Sequence, residues 1–193
     1  RPFMDKITHL LGHLAHSTGA EEHPLFQKSE TGFPLLIVFT SDRGLCGAFN
    51  QNILKRAAAE LRRNPDMQVY VLGRKGRDWL RRYYRERIYR ERVDLEGKLD
   101  GAMTDEISVE LLNGFYDGIF SRIELCYPRF ISMTTNKPTI ERYLPLDPSA
   151  FGVSEEEARN PIDYILEPSP ERVFDAVLPR YLKSKIYLTL AET

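Results

Sequence analysis

Apolar positions along this chain recur with two periods, and the switches between them mark out its elements. Residues 2–16 carry Phe3, Ile7, Leu10, Leu11 and Leu14 at helical spacing and predict a helix with one buried face. Residues 17–34, holding Gly, Pro, Glu and Ser, predict a loop. The run 35–40, LLIVFT, is apolar up to Thr40 and rich in β-branched residues, and predicts a buried strand. A tight Ser41-Asp42-Arg43-Gly44 turn leads from it into a helix from Cys46 to about Arg63, stopped by Asn64-Pro65-Asp66. Residues 68–72 predict a second strand, Gly73 to Tyr84 a helix, and 87–93 a third strand despite its charge.

The second half repeats the alternation once and then changes character. Residues 104–120 predict a helix with Ile107, Val109, Leu111, Leu112, Phe115 and Ile119 as its apolar positions, and Thr104-Asp105-Glu106 suits its start. Residues 123–135 and 139–144 predict two strands joined by a turn at Asn136-Lys137-Pro138. An acidic loop follows over 147–161, with a short helix at 155–159, and 163–166 predicts a last strand. Glu167-Pro168-Ser169-Pro170 ends it, and a helix runs from Pro170 to the C-terminus with Pro179 costing one internal hydrogen bond. Strands alternating with helices predict an α/β fold: a three-layer, Rossmann-like sandwich whose mixed sheet is parallel early and ends in a hairpin. The expectation is one domain over 1–193, with 1–16 and 171–193 as flanking helices.

Composition narrows the function classes. A chain of 193 residues, 42% hydrophobic, can bury a sizeable core. Its formal charge of −1 exerts no global pull toward nucleic acid or anionic membrane. No apolar run reaches the length of a membrane span, and no signal-peptide layout opens the sequence. Cys46 and Cys126 stand far apart, which suits a reducing compartment better than a disulfide framework.

Four local patterns invite chemistry. Gly44-x-x-Gly47 at a strand–helix turn fits neither the dinucleotide fingerprint nor the phosphate loop, so tight packing is the simpler reading. Cys46 opens a helix, where the dipole favours a thiolate, yet no base or orienting group accompanies it. His9, His13 and His16 share a helical face without the glutamate of an HExxH site, and a solvated or partner-facing stripe accounts for them. Residues 74–92 hold nine Arg or Lys interleaved with Trp79, Tyr83, Tyr84 and Tyr89. That pattern allows nucleic-acid stacking and phosphate pairing, an acidic partner or anionic headgroups, but Asp78, Glu86 and Glu91 are placed for local ion pairs. The acidic run Glu155-Glu156-Glu157 fits a solvated loop.

The segment SDRGLCGAFNQNI resembles the signature of the γ subunit of F-type ATP synthases, the central stalk of the rotor. Further blocks follow in that family's order: His23-Pro24, Phe130-Ile131-Ser132-Met133, Lys137-Pro138-Thr139-Ile140, Tyr143-Leu144-Pro145-Leu146, Tyr164-Ile165-Leu166-Glu167-Pro168, Arg180-Tyr181-Leu182 and Ile186-Tyr187. The resemblance implies the globular part of a rotor subunit, its flanking helices continuing into a coiled-coil shaft. It implies a non-catalytic role, without cofactor or metal, that couples proton-driven rotation of the c ring to ATP synthesis or hydrolysis in the α/β ring. Arg43 and Cys46 match positions that face the acidic lobe of a β subunit, and Tyr164 and Glu167 match the foot that meets the ε subunit and the c ring. Membrane contact is then only through the c ring, on the cytoplasmic face of a bacterial inner membrane, with the matrix side of the mitochondrial membrane as the alternative. For Arg43 the alternative is a solvated turn residue, and for Tyr164 and Glu167 a core strand residue and a strand-end charge. The alternative classes are a small-molecule enzyme or a nucleic-acid-binding module on the same fold.

Overall fold

The structure, a computed structural model, describes residues 2–17, 22–43, 48–95, 101–132, 135–151 and 169–193. Two compact units divide it: residues 1–27 with 145–185, and residues 28–144 with 186–193.

The larger unit is built on a five-stranded sheet with spatial order β3-β2-β1-β4-β5. In chain order its elements are β1 (Phe33–Phe39), α2 (Phe49–Arg63), β2 (Gln68–Leu72), α3 (Arg74–Tyr83), β3 (Ile88–Arg92), α4 (Gly101–Tyr116), β4 (Phe120–Ser132) and β5 (Thr135–Leu144). β1 pairs in parallel with both β2 and β4, β2 with β3 in parallel, and β4 with β5 antiparallel. The expected α/β class and mixed, mostly parallel sheet are therefore present. Both faces of β1 are covered, which is why its sequence is a continuous apolar run. Leu36, Val38, Val69, Val71 and Cys126 meet Ile53, Leu54, Ala57 and Leu61 of α2 and Leu80 of α3 in one core. The alternate set, Leu35, Ile37, Phe39, Tyr70 and Leu125, is equally buried on the opposite face. There α4 packs on β4, so closely that a Cβ on Gly114 would lie 2.2 Å from the Phe120 ring.

Three element boundaries differ from expectation, each for a physical reason. Strand β1 starts at Phe33 because Phe33 N–H donates to Ile119 O at 3.1 Å; Pro34, which lacks a donor, falls at a register shift against β4. Helix α4 covers 101–116 rather than 104–120, because Gly118 turns the chain with φ +71. Gly118 N–H then donates to Phe115 O and Ile119 N–H to Gly114 O, a Schellman end that leaves Ile119 exposed. The turn expected at 136–138 is not there: Asn136, Lys137 and Pro138 run inside β5 opposite Phe130, Arg129 and Pro128. β5 is an edge strand, where proline is tolerated. Since β1 pairs with β4 only as far as Cys126, the rest of β4 continues with β5 as a two-stranded ribbon.

In the smaller unit, α1 spans Pro2–Ser17 and α5 spans Pro170–Ala191, its last turns from Ile186 onward counting with the larger unit. The expected loop before β1 contains a 3-10 turn, Pro24–Phe26, capped by His23, whose Nδ1 accepts Leu25 N–H at 3.2 Å. His23 Nε2 lies 3.4 Å from Asp175 of α5, and its ring meets Phe26 and Phe174 edge-on. Leu146 N–H donates to Leu25 O, and a second 3-10 turn, Pro148–Phe151, brings the Phe151 ring against Phe26 and Tyr181. The helix expected at 155–159 and the strand expected at 163–166 lie outside the described residues.

Candidate functional site

Strand order reverses about β1, whose neighbours β2 and β4 follow it in different directions through the sheet. In open α/β sheets the crevice beyond the carboxyl ends of such strands is where ligands bind. Residues 40–43, ending in Arg43, lie at that end of β1, and the polar groups of Thr40, Ser41 and Asp42 are engaged by the protein itself. Thr40 Oγ1 donates to Leu72 O at 3.0 Å and accepts Gly76 N–H at 2.9 Å. Ser41 N–H donates to Asn50 Oδ1 at 3.1 Å, Asn50 Nδ2 donates to Ser41 Oγ at 2.8 Å, and Ser41 Oγ donates to Arg43 O at 2.9 Å. Asn50, in the first turn of α2, thus fixes the backbone that presents Arg43, which is itself exposed.

Asp42 ties the turn to the next crossover. Its carboxylate accepts the N–H of Arg74 at 2.9 Å, of Asp94 at 3.1 Å and of Leu95. Arg74 is the first residue of α3, so the carboxylate already fills the N-terminal position at which a helix holds a phosphate. Asp94, in the left-handed region at φ +60, pairs in turn with the Arg74 guanidinium. Gly73 is required by the same closeness: its φ is +100, and a Cβ there would lie 1.9 Å from Thr40 O. Over residues 40–43 the turn is a hydrogen-bonded shelf whose Asp42 carboxylate is spent on backbone N–H groups.

The basic stretch dissolves largely into internal pairs. Arg77 pairs with Asp78, Arg81 with Glu91, Arg90 with Glu110 and Arg92 with Glu106. Arg87 donates to the carbonyls of Met67 and Asn64, both at 2.6 Å. Arg92 Nε also donates to Tyr70 Oη at 2.7 Å, while burial pushes the Tyr70 hydroxyl up to about 12. A nucleic-acid track needs phosphate-facing cations, and these guanidinium groups are already held.

Cys126 is inert by position: wholly buried in the α2 core, its thiol is pushed up to about 12 by burial. The His9 and His13 rings meet edge-on with centroids 4.6 Å apart, and among the described residues no group of three or more His, Cys, Asp or Glu side chains is placed to hold a metal ion. Of the residues singled out from sequence, Arg43 is placed on the shelf beyond β1. Cys46, with Gly44 and Gly47, and Tyr164, Glu167 and the Glu155–Glu157 run lie outside the described residues, as does the side chain of His16. The residues that shape the shelf, Asp42, Asn50 and Gly73, were not singled out; a glycine directly after a strand was the available signal for Gly73.

A family model described as ATP synthase matches residues 1–193. The ATP synthase gamma chain of Pelotomaculum thermopropionicum is 33% identical over 194 residues, covering 100% of this chain and 66% of its own length. That of Heliobacterium modesticaldum is 32% identical over 198 residues, covering 100% and 67%. The chain thus spans about two thirds of the length of these curated relatives. Among solved structures, a chain of the Tetrahymena thermophila mitochondrial ATP synthase central stalk and c ring superposes with a TM-score of 0.63 at 17% identity, over 97% of this chain and 91% of that one. A chain of the Euglena gracilis mitochondrial ATP synthase rotor gives 0.56 at 21% identity, over 84% and 62%. At these identities the two structures establish a shared fold.

Proposed function

Because this chain belongs to the ATP synthase gamma family, we propose that it is the globular part of the central stalk, carrying torque between a proton-driven c ring and an α/β catalytic ring. The observation that carries this reading is similarity to gamma chains along the whole of residues 1–193. The subunit is non-catalytic; nucleotide chemistry belongs to the β subunits. Its physical contribution is stiffness, and a close-packed sheet covered on both faces supplies it.

Arg43, held out on the shelf by Asn50 and Ser41, is the group we assign to a β-subunit carboxylate, a pairing for which a planar guanidinium is suited. Cys46, three residues on in sequence, is assigned to the same contact. Tyr164 and Glu167 form the foot toward the ε subunit and the c ring. Among the described residues no helix is long and apolar enough to cross a membrane. We place the chain at the membrane through its complex, on the cytoplasmic side of a bacterial inner membrane, a reading that rests on the family alone. Internal satisfaction of the shelf by Asp42 weighs against the small-molecule reading, and the paired arginines of 74–92 weigh against the nucleic-acid reading.

The test is ATP-driven proton pumping by membrane vesicles from cells in which the gene encoding this chain is deleted and then restored. Loss on deletion and recovery on restoration are expected. Pumping that survives the deletion would overturn the assignment.

A further inference from the structure

Helices α2 and α3 leave a groove between them with a cavity of about 380 Å³, lined by Lys55, Ala58, Arg62, Trp79, Tyr83 and Tyr84. Its floor is aromatic: the Trp79 ring lies 4.9 Å from Tyr83 and 5.6 Å from Tyr84, centroid to centroid, and Tyr83 is 56% exposed. Its rim is cationic, with Arg82 over Tyr83 at 5.4 Å, and among the described residues no carboxylate lines it. The contrast with the neighbouring surface is the informative point. Arg74, Arg77, Arg81, Arg90 and Arg92 are each matched to an acidic side chain. Among the described residues Lys55 and Arg62 take part in no ion pair, and the indole N–H of Trp79 and the hydroxyls of Tyr83 and Tyr84 in no hydrogen bond.

We propose that this groove is a docking site for an acidic amphipathic helix of a partner protein. Lys55 and Arg62 stand at i and i+7 of α2, two turns or about 10 Å apart, with the small Ala58 between them. A docked helix with carboxylates at the same spacing reaches both cations, and its apolar residues at i+3 and i+4 lie on Trp79 and Tyr84. Three rim cations around a short aromatic floor, two of them in register along α2, suit such a helix better than a polyanion or a membrane plane, which need a continuous basic track. The inference is independent of the stalk assignment, since it uses neither the shelf nor the foot.

Trp79 is the only tryptophan of the chain, so its emission reports on the groove. The folded 193-residue chain is titrated with a synthetic helical peptide of about 14 residues, with Glu at i and i+7 and Leu at i+3 and i+4. Saturable change in Trp79 emission is expected, weakened by salt. The Lys55→Glu/Arg62→Glu variant alters only exposed side chains; it should weaken binding about tenfold or more, and a peptide with Lys in place of Glu should bind that variant instead. A folded chain that gives no response, or a variant that binds the acidic peptide equally well, overturns the proposal. So does a Trp79 response to oligothymidylate or to phosphatidylserine vesicles in the absence of one to the peptide.

Discussion

At the residue scale, most of the site's order passes through Asp42. One carboxylate satisfies the first N–H of α3 and the two N–H groups that follow β3, so it holds three chain segments together. Replacing it by alanine removes charge-assisted bonds and strands backbone donors, and Asp42→Ala should cost about 2 kcal/mol or more in a denaturant titration. Asp42→Asn keeps one acceptor and should recover part of that loss. Cys126 gives a second expectation. With its thiol raised to about 12 by burial, the peptide that contains it should remain unmodified by iodoacetamide at mildly alkaline pH and react once the chain is unfolded. Mass mapping of the alkylated peptide distinguishes it from Cys46. Neither role was visible in sequence, since an aspartate in a turn and a cysteine in an apolar strand each have many uses. Partners far along the chain give these two residues their meaning: Arg74, Asp94 and Leu95 for one, Ile53 and Leu54 for the other.

At the scale of elements, periodicity located the parallel strands well because burial on both faces leaves no other pattern for residues 35–39 and 69–72. It failed where a single residue overrode it. Gly118 ends α4 although Ile119 continues the apolar spacing, and the edge position of β5 lets Pro138 lie inside a strand that its sequence would break. One contact between elements carries a pH dependence. On β4, Glu124 is largely buried between Arg122, at 3.8 Å, and Arg142 across the strand pair, with Glu60 of α2 nearby; α2 also brings Arg56, which lies 3.8 Å from Glu60. Burial raises its carboxyl above the ordinary range, Glu60 adds to that, and the two arginines on the strands oppose it without prevailing. A group raised in the folded state binds its proton more tightly there than in the unfolded chain. Its contribution is therefore full below the ordinary carboxylate value and is lost as pH rises through the folded one. Glu124→Gln should accordingly be more resistant to urea than the parent at neutral pH, with the advantage shrinking as the solution is acidified toward the ordinary carboxylate value. Midpoints of both proteins at matched pH values check this; an advantage that grows on acidification would mean that the arginines dominate.

For the whole molecule, the stalk reading asks one subunit to grip at two places that are far apart in sequence. Arg43 lies directly after β1, and Tyr164 and Glu167 lie well beyond β5. Family blocks nominate both places, whereas the fold alone is shared by proteins with unrelated work. The two grips should therefore separate by mutation. Arg43→Glu reverses a charge on an exposed shelf whose backbone is held by Asn50 and Ser41, so the fold should survive and the melting temperature should stay nearly constant. Its expected effect is on coupling: ATP-driven proton pumping should fall about tenfold, as expected when a like charge is set against an acidic partner. Binding of the purified ε subunit, followed by calorimetry, should be unchanged in that variant. Tyr164→Ala/Glu167→Ala should do the reverse at the binding level, weakening ε association while leaving the shelf intact. If Arg43→Glu abolished ε binding, or the double alanine variant left it untouched, the two contacts would have to be reassigned. The domain's membership of the gamma family would stand, and the search for the gripping residues would move to the β4–β5 ribbon, where Phe130 and Ile131 are exposed.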